Sequence, residues 1–196
     1  MLTLFLGLAV FLGVHSVQAL LPEQRQLWQA RWGAGAYKGL YSLVSLAGLV
    51  LMVWGYGEAR HHPVVIFNPP RALVHASFLL MGISMVLLVA AYWPRNQIRA
   101  RLRHPMTLGI KVWALAHLLA NGTLADLMLF GTFLLWAVVV FRSARRRPVA
   151  PAAERPASAG ATVATVLLGL GVWALFLWGG LHAHLIGVNP LGSMRA

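Results

Sequence analysis

Residues 72–93, ALVHASFLLMGISMVLLVAAYW, contain no Asp, Glu, Lys or Arg. An α-helix of this length, rising about 1.5 Å per residue, crosses the roughly 30 Å hydrocarbon core of a bilayer. The rest of the 196-residue chain has the same character, with 59% hydrophobic and 10% charged residues. Soluble domains carry about 25% charged residues, so this composition excludes a soluble globular protein. The chain has no cysteine, which excludes disulfides, iron–sulfur clusters and cysteine-ligated zinc.

Five further apolar stretches are interpreted as membrane spans. They are residues 2–21, 39–56, 107–120, 124–141 and 161–186. The stretch 107–120 would rise only about 21 Å, so it needs help from its flank or lies within the bilayer. We therefore predict an all-α fold, a polytopic integral membrane bundle of six transmembrane helices. A short cytoplasmic interfacial helix is also predicted at 22–32, where Leu27, Trp28 and Trp32 recur at helical spacing.

Positive charge lies mainly in alternate loops. Most of the 16 Lys and Arg residues fall in the first, third and fifth loops, whereas the other side carries only Arg60, Arg71 and Arg195. Because cytoplasmic loops are rich in Lys and Arg, both termini are predicted to be periplasmic. The net charge of +12 is thus attributed to membrane loops, and no nucleic-acid partner is predicted. Residues 17–19 would form a passable signal-peptidase site, but no Lys or Arg precedes the apolar run, so a retained span is favoured.

The domain organisation follows from composition. Residues 1–145 are predicted to form a transmembrane domain of five spans, and residues 146–160 a linker rich in Pro and Ala. The sixth transmembrane helix is placed at 161–187, and a tail at 188–196. Thr123 and Asp126 predict a capping box at the start of the fifth span. Small residues predict close helix approach in the second and sixth spans: Ser42, Ser45, Gly48, Gly169, Gly171, Gly179 and Gly180.

The eight histidines are the main candidates for chemistry, because ionisable groups at membrane depth are rare and usually functional. His15 is expected about 9 Å, and His117 about 15 Å, from the cytoplasmic ends of their spans. Zinc usually takes three or four ligands, and neither residue has a Cys or carboxylate nearby in sequence. Haem iron needs one or two axial ligands and an apolar slot between helices. We therefore predict that His15 and His117 ligate the iron of haem b between the first and fourth spans.

Gln18 and Asn121 complete the predicted cofactor site. Each lies one turn after a candidate ligand, where it could accept the second ring N–H. Other candidates are His75, His104 and His182. His182 and His184 point to opposite faces of a helix, which disfavours a shared metal site, and His61 and His62 are assigned to a solvated loop. The alternative is that the buried histidines are structural and bond across helices.

Several stretches resemble the NnrU family of bacterial membrane proteins. They are RHPMTLGIKVWALAHLLANG (103–122), FLGVHS (11–16), KGLYSLVSLAG (38–48), VWGYGEAR (53–60) and LFGTFLLWAVV (129–139). Together they cover the first to fifth spans. The family is named for its association with genes of nitrite and nitric oxide reduction. The resemblance implies an inner-membrane protein linked to denitrification, with the lipid bilayer and a reductase as partners.

The NnrU family is similar to the plastid 15-cis-zeta-carotene isomerase, a membrane enzyme that uses haem b to isomerise a cis double bond. Its axial histidines belong to an HS motif and a WxLAH motif, which match His15 and His117 here. That relative has a Cys three residues before the second histidine, where this chain has Ala114. A ligand switch through that Cys is therefore absent. The resemblance implies haem-dependent cis–trans isomerisation as one activity.

Three other functions compete with a haem protein. The first is a non-catalytic accessory or assembly protein for a reductase, with structural histidines. The second is a membrane methyltransferase of the isoprenylcysteine type, suggested by the RHP motif at 103–105. It is disfavoured because residues 142–148, RSARRRP, offer no carboxylate for its cofactor. The third is a small-molecule conduit, for which no polar stripe exists. The substrate and the oligomeric state are not determined by the sequence.

Overall fold

The computed structural model describes residues 1–147 and 156–192, and within these ranges nearly all regular structure is helical. The helices are α1 (Leu2–Leu20), α2 (Pro22–Trp32), α3 (Ala34–His61), α4 (Arg71–Tyr92), α5 (Gln97–Leu102), α6 (Pro105–Ala120), α7 (Leu124–Arg146), α8 (Ala159–Leu177) and α9 (Leu181–Ile186). Extended pairing in the described part of the chain is limited to one antiparallel bridge between Val65 and Thr123. The predicted all-α class is confirmed.

Five helices, α1, α3, α4, α7 and α8, are long and apolar enough to cross a membrane. The fold is therefore that of a multi-pass helical membrane protein. Helix α6 has 16 residues and rises about 24 Å, so the sixth crossing stays a prediction. Helix α2 covers the segment 22–32, but its place at a membrane surface also stays a prediction. Parts of the predicted linker and tail, with Arg155 and Arg195, lie outside the described residues.

The helices group into two compact units. The first unit contains α1, α2, α3 and α7, and its described residues are 1–67 and 122–147. The second contains α4, α5, α6, α8 and α9, with described residues 68–121 and 156–192. Helix α8, which follows the linker, thus belongs to the same unit as α4 and α6.

In the first unit, glycines bring α1 and α3 into close contact. A Cβ added at Gly48 would lie 2.7 Å from the backbone nitrogen of Phe11, well inside the usual contact distance. The pairs of glycine and opposing backbone are Gly7 with Met52, Gly48 with Phe11, and Gly55 with Leu4. The predicted close approach is confirmed at Gly48, whereas Ser42 is exposed and takes no part.

In the second unit, α4 packs against both α6 and α8. The Ser84 hydroxyl donates a hydrogen bond to the Gly109 carbonyl on α6 at 2.9 Å. On α8, a Cβ at Gly169 would lie 2.6 Å from Cα of Val86. The prediction of close approach is confirmed for Gly169. It is wrong for Gly171, because a Cβ there would meet no atom within 4 Å.

The last apolar stretch is broken near its end. Helix α8 ends at Leu177, Gly180 adopts a left-handed conformation with φ of 72°, and α9 begins at Leu181. A left-handed residue cannot continue a right-handed helix, and glycine adopts it without a Cβ clash. The structure therefore corrects the predicted continuous helix at 161–187. Gly179 and Gly180 form a turn and not a packing face.

Candidate functional site

His15 continues the buried stripe of α1. Leu4, Leu8 and Leu12 are buried at successive turns, and His15 follows one turn later, partly buried. Its Nδ1 lies 2.6 Å from the Phe11 carbonyl oxygen. A carbonyl oxygen only accepts hydrogen bonds, so Nδ1 carries the proton and donates. In the neutral ring, Nε2 then holds the lone pair that can bind a metal.

Aromatic side chains surround the His15 ring. The ring centroids of Phe11 and Tyr41 lie 4.2 Å and 5.4 Å from it. Next to these residues, α1, α2 and α3 line an open apolar cavity of about 210 Å³. Its lining includes Val14, Val17, Trp28, Trp32, Tyr37 and Tyr41. The cavity is smaller than the roughly 300–1,000 Å³ of typical ligand pockets, so it can admit only part of a ligand.

Hydrogen bonds to α7 set the rotation of α1 beside His15. The Trp136 indole N–H donates to the Ser16 hydroxyl at 3.0 Å, and that hydroxyl donates to the Leu12 carbonyl at 2.6 Å. The Ser143 hydroxyl donates to the Ala19 carbonyl at 2.8 Å. Ser16, Trp136 and Ser143 were not among the site residues predicted from the sequence. A signal existed, because a Trp or Ser within an apolar span needs a hydrogen-bond partner.

His117 lies in the last turn of α6, three residues before Ala120 and about 18 Å of helix from Pro105. It is partly buried, and its Nδ1 lies 2.9 Å from the Trp113 carbonyl oxygen. The two rings are also in contact, with centroids 4.9 Å apart. By the argument used for His15, Nδ1 donates this bond and Nε2 carries the lone pair.

The predicted hydrogen bonds from the histidine rings to Gln18 and Asn121 stay predictions. The Nδ1–H groups of both histidines bond the carbonyl one turn earlier, Gln18 is exposed, and the Asn121 amide donates to the His117 carbonyl at 2.8 Å. A main-chain carbonyl thus fixes the tautomer of each ring without a side-chain partner one turn later.

The two candidate ligands belong to different units: His15 to the first and His117 to the second. Their meeting at a common level stays a prediction. Among the residues in the described ranges, no group of three or more His, Cys, Asp or Glu is arranged to hold a metal ion.

The remaining histidines lie at helix ends or on exposed surface. His104 is the residue before α6, and His75 is exposed on α4. His182 Nδ1 lies 2.8 Å from the Val188 carbonyl oxygen. His184 is exposed, and its Nδ1 lies 2.9 Å from the Gly180 carbonyl oxygen. The bond to the preceding turn is thus not unique to His15 and His117, which differ from His184 in their burial.

Asp126 has a structural explanation. Its carboxylate accepts bonds from the Thr123 backbone N–H at 3.0 Å and the Thr123 hydroxyl at 2.6 Å, and the predicted capping box is confirmed. The other carboxylate oxygen accepts a hydrogen bond from the Tyr56 hydroxyl at 2.6 Å. These bonds satisfy a side chain that is only 5% exposed.

These features define a multi-pass helical membrane protein with partly buried, backbone-anchored histidines in two of its apolar helices. The chain belongs to the NnrU family, because the family model described as "NnrU protein" matches residues 3–190. This match extends beyond the stretches quoted above and includes α8 and α9. No curated protein and no solved structure matches the chain.

Proposed function

We propose that this NnrU-family protein binds haem b, with His15 and His117 as the axial ligands. The observation that carries the proposal is the hydrogen bonding of the two rings. Each ring donates its Nδ1–H to a main-chain carbonyl of its own helix, at 2.6 Å and 2.9 Å. This second bond is typical of metal-binding histidines, since it fixes the tautomer that presents Nε2 to the metal.

The chemistry of the donor set supports haem over other metals. Imidazole nitrogens suit iron, and two histidines are enough when a porphyrin supplies the other ligands. The ring of His15 lies among Phe11 and Tyr41 and beside an apolar cavity, surroundings suited to the face of a porphyrin. A hard cation would need oxygen ligands, and this chain has only four Asp and Glu residues.

The protein's own residues would position the cofactor. The carbonyls of Phe11 and Trp113 hold the two imidazoles, and the Trp136–Ser16 bond holds the rotation of α1. Bound haem b would supply one-electron chemistry or a coordination site for a small ligand. Following the family's association, we place this chemistry in nitrite and nitric oxide reduction. Cis–trans isomerisation of a lipophilic alkene is the second activity that family kinship suggests.

The test is the absorption spectrum of detergent-purified protein from haem-replete cells, with and without dithionite. We expect a Soret band that shifts on reduction, with haem near one per chain. His15→Ala and His117→Ala should each lose most of the bound haem. His184→Ala is the matched control, because it removes the same Nδ1 bond from an exposed ring, and it should keep the wild-type spectrum.

Two results would contradict the proposal. One is a colourless wild-type preparation, and the other is equal haem retention in all three variants. A colourless protein that is destabilised by His15→Ala would instead favour the non-catalytic accessory class with structural histidines. If haem is present, nitric oxide binding to the reduced protein and an isomerase assay separate the two activities.

A further inference from the structure

A groove in the second unit lies between α4 and α8. It has a volume of about 380 Å³. Its lining consists of Met85, Leu88, Val89 and Tyr92 of α4, Trp93 directly after α4, and Leu168 and Val172 of α8. From Met85 to Trp93 the groove follows about 12 Å of helix. Its lining is apolar and its volume falls within the range of ligand pockets. This apolar lining is chemically matched to a hydrocarbon chain.

Aromatic side chains at one end of the groove indicate the membrane–water interface. Tyr92, 75% exposed, and Trp93, 38% exposed, close α4 at this end, and such aromatic side chains favour the headgroup region of a bilayer. The turn after α4 is hydrogen-bonded to the start of α8. The Ser158 N–H donates to the Arg95 carbonyl at 2.9 Å. The Gln97 N–H donates to the Thr162 hydroxyl at 3.0 Å. The backbone at Arg95 and Gln97 is therefore held against the start of α8, and α5, which carries Arg101, follows directly with Arg103 at its end.

Three exposed arginines lie in this segment. Arg95, Arg101 and Arg103 are exposed. The described residues of the second unit, 68–121 and 156–192, contain no Asp or Glu. No carboxylate of the described part of this unit can therefore neutralise these arginines. Basic surfaces beside membrane helices attract the phosphates of anionic lipids.

We propose that the groove and Arg95, Arg101 and Arg103 form a binding site for an anionic phospholipid. One acyl chain lies between α4 and α8, and the phosphate binds the arginines beyond Trp93. This site involves neither His15 nor His117, so it stands independently of haem binding.

The backbone conformation of two of these arginines allows a direct test of the lipid site. Arg95 and Arg103 have positive φ angles of 58° and 64°, a conformation that L side chains rarely adopt and glycine adopts freely. Replacing both by glycine removes two charges and relieves backbone strain, so the double variant should fold. The matched control is Arg145→Gly with Arg146→Gly, two exposed arginines of α7 in the first unit.

The experiment is native mass spectrometry of the detergent-purified chain, titrated with phosphatidylglycerol or with phosphatidylcholine of the same acyl chains. Wild type should prefer phosphatidylglycerol. Arg95→Gly with Arg103→Gly should weaken that binding by about fivefold per arginine and leave phosphatidylcholine binding unchanged. Leu168→Trp, which fills the groove, should weaken the binding of both lipids.

Three outcomes would overturn the proposal. The first is equal affinity of wild type for the two lipids, a measurement that needs no variant. The second is unchanged phosphatidylglycerol binding by the double glycine variant. The third is an equal loss in the Arg145 and Arg146 control, which would mean that total charge, and not this site, attracts the lipid.

Discussion

Substitution of Gly48 by Ala tests the packing of α1 against α3, which positions His15. The new Cβ would lie 2.7 Å from the nitrogen, 3.0 Å from Cα and 3.1 Å from Cβ of Phe11. Favourable contacts between carbon atoms lie at about 3.5–4.0 Å, so the helices would have to separate by roughly half an ångström or more. The neighbouring atoms are mostly backbone and cannot rotate away.

The expected magnitude combines two opposing effects. Overpacking costs about 1–3 kcal/mol, whereas Gly→Ala in a helix contributes about 0.5–1 kcal/mol of stability. The matched control is Gly57→Ala on the same helix, where the Cβ would meet no atom within 4 Å and only the favourable effect applies. The two variants should therefore differ by the overpacking cost alone.

The assay is thermal unfolding of both variants in one detergent, followed by far-UV circular dichroism. About 1 kcal/mol corresponds to roughly 2–4 °C in the Tm of a chain of this size. Gly48→Ala should therefore unfold several degrees below Gly57→Ala. If Gly48→Ala unfolds at the same temperature or higher, α1 and α3 are not in the close contact described here.

Three more predictions use the same thermal assay. Asp126→Ala should destabilise the protein by about 1–3 kcal/mol, because it leaves buried hydrogen-bond donors unpaired. Tyr56→Phe should destabilise it less, because the bonds from Thr123 to the carboxylate remain; an equal destabilisation by the two variants would contradict this. Asn96→Ala should destabilise the protein strongly, because this buried amide donates to two carbonyls at the end of α4 and accepts a hydrogen bond from the Arg99 N–H. An unchanged Tm would rule out that network. On α8, Gly169→Ala should lower Tm relative to Gly171→Ala; the reverse order would place the contact with α4 elsewhere.

Local chemistry made part of this structure predictable. The apolar stretches identified the helices, although α3 and α7 extend beyond the predicted 39–56 and 124–141. Backbone hydrogen bonding continues past the apolar residues, so hydropathy underestimates helix length. The capping box at Thr123 was predictable because its bonds join residues only three positions apart.

The candidate site was predictable only in its principal residues. A histidine within an apolar span is visible in the sequence, which is why His15 and His117 were chosen. The main-chain carbonyls that accept their Nδ1–H groups were not predicted, because residue spacing along a helix does not show which rotamer a histidine adopts. Trp136 could not be paired with Ser16, because their bond joins positions that are distant in the chain and adjacent only after α1 and α7 pack.

The sequence alone thus determined that this chain is a helical membrane protein and which histidines lie within its apolar segments. Both follow from composition and short-range spacing. Only the tertiary structure decided which glycines touch a neighbouring helix, as the contrast between Gly48 and Gly57 shows. It also decided that a groove between α4 and α8 ends beside arginines without a carboxylate in the described part of their unit. Such features depend on which faces of distant segments meet, and hydropathy along the chain carries no information about that pairing.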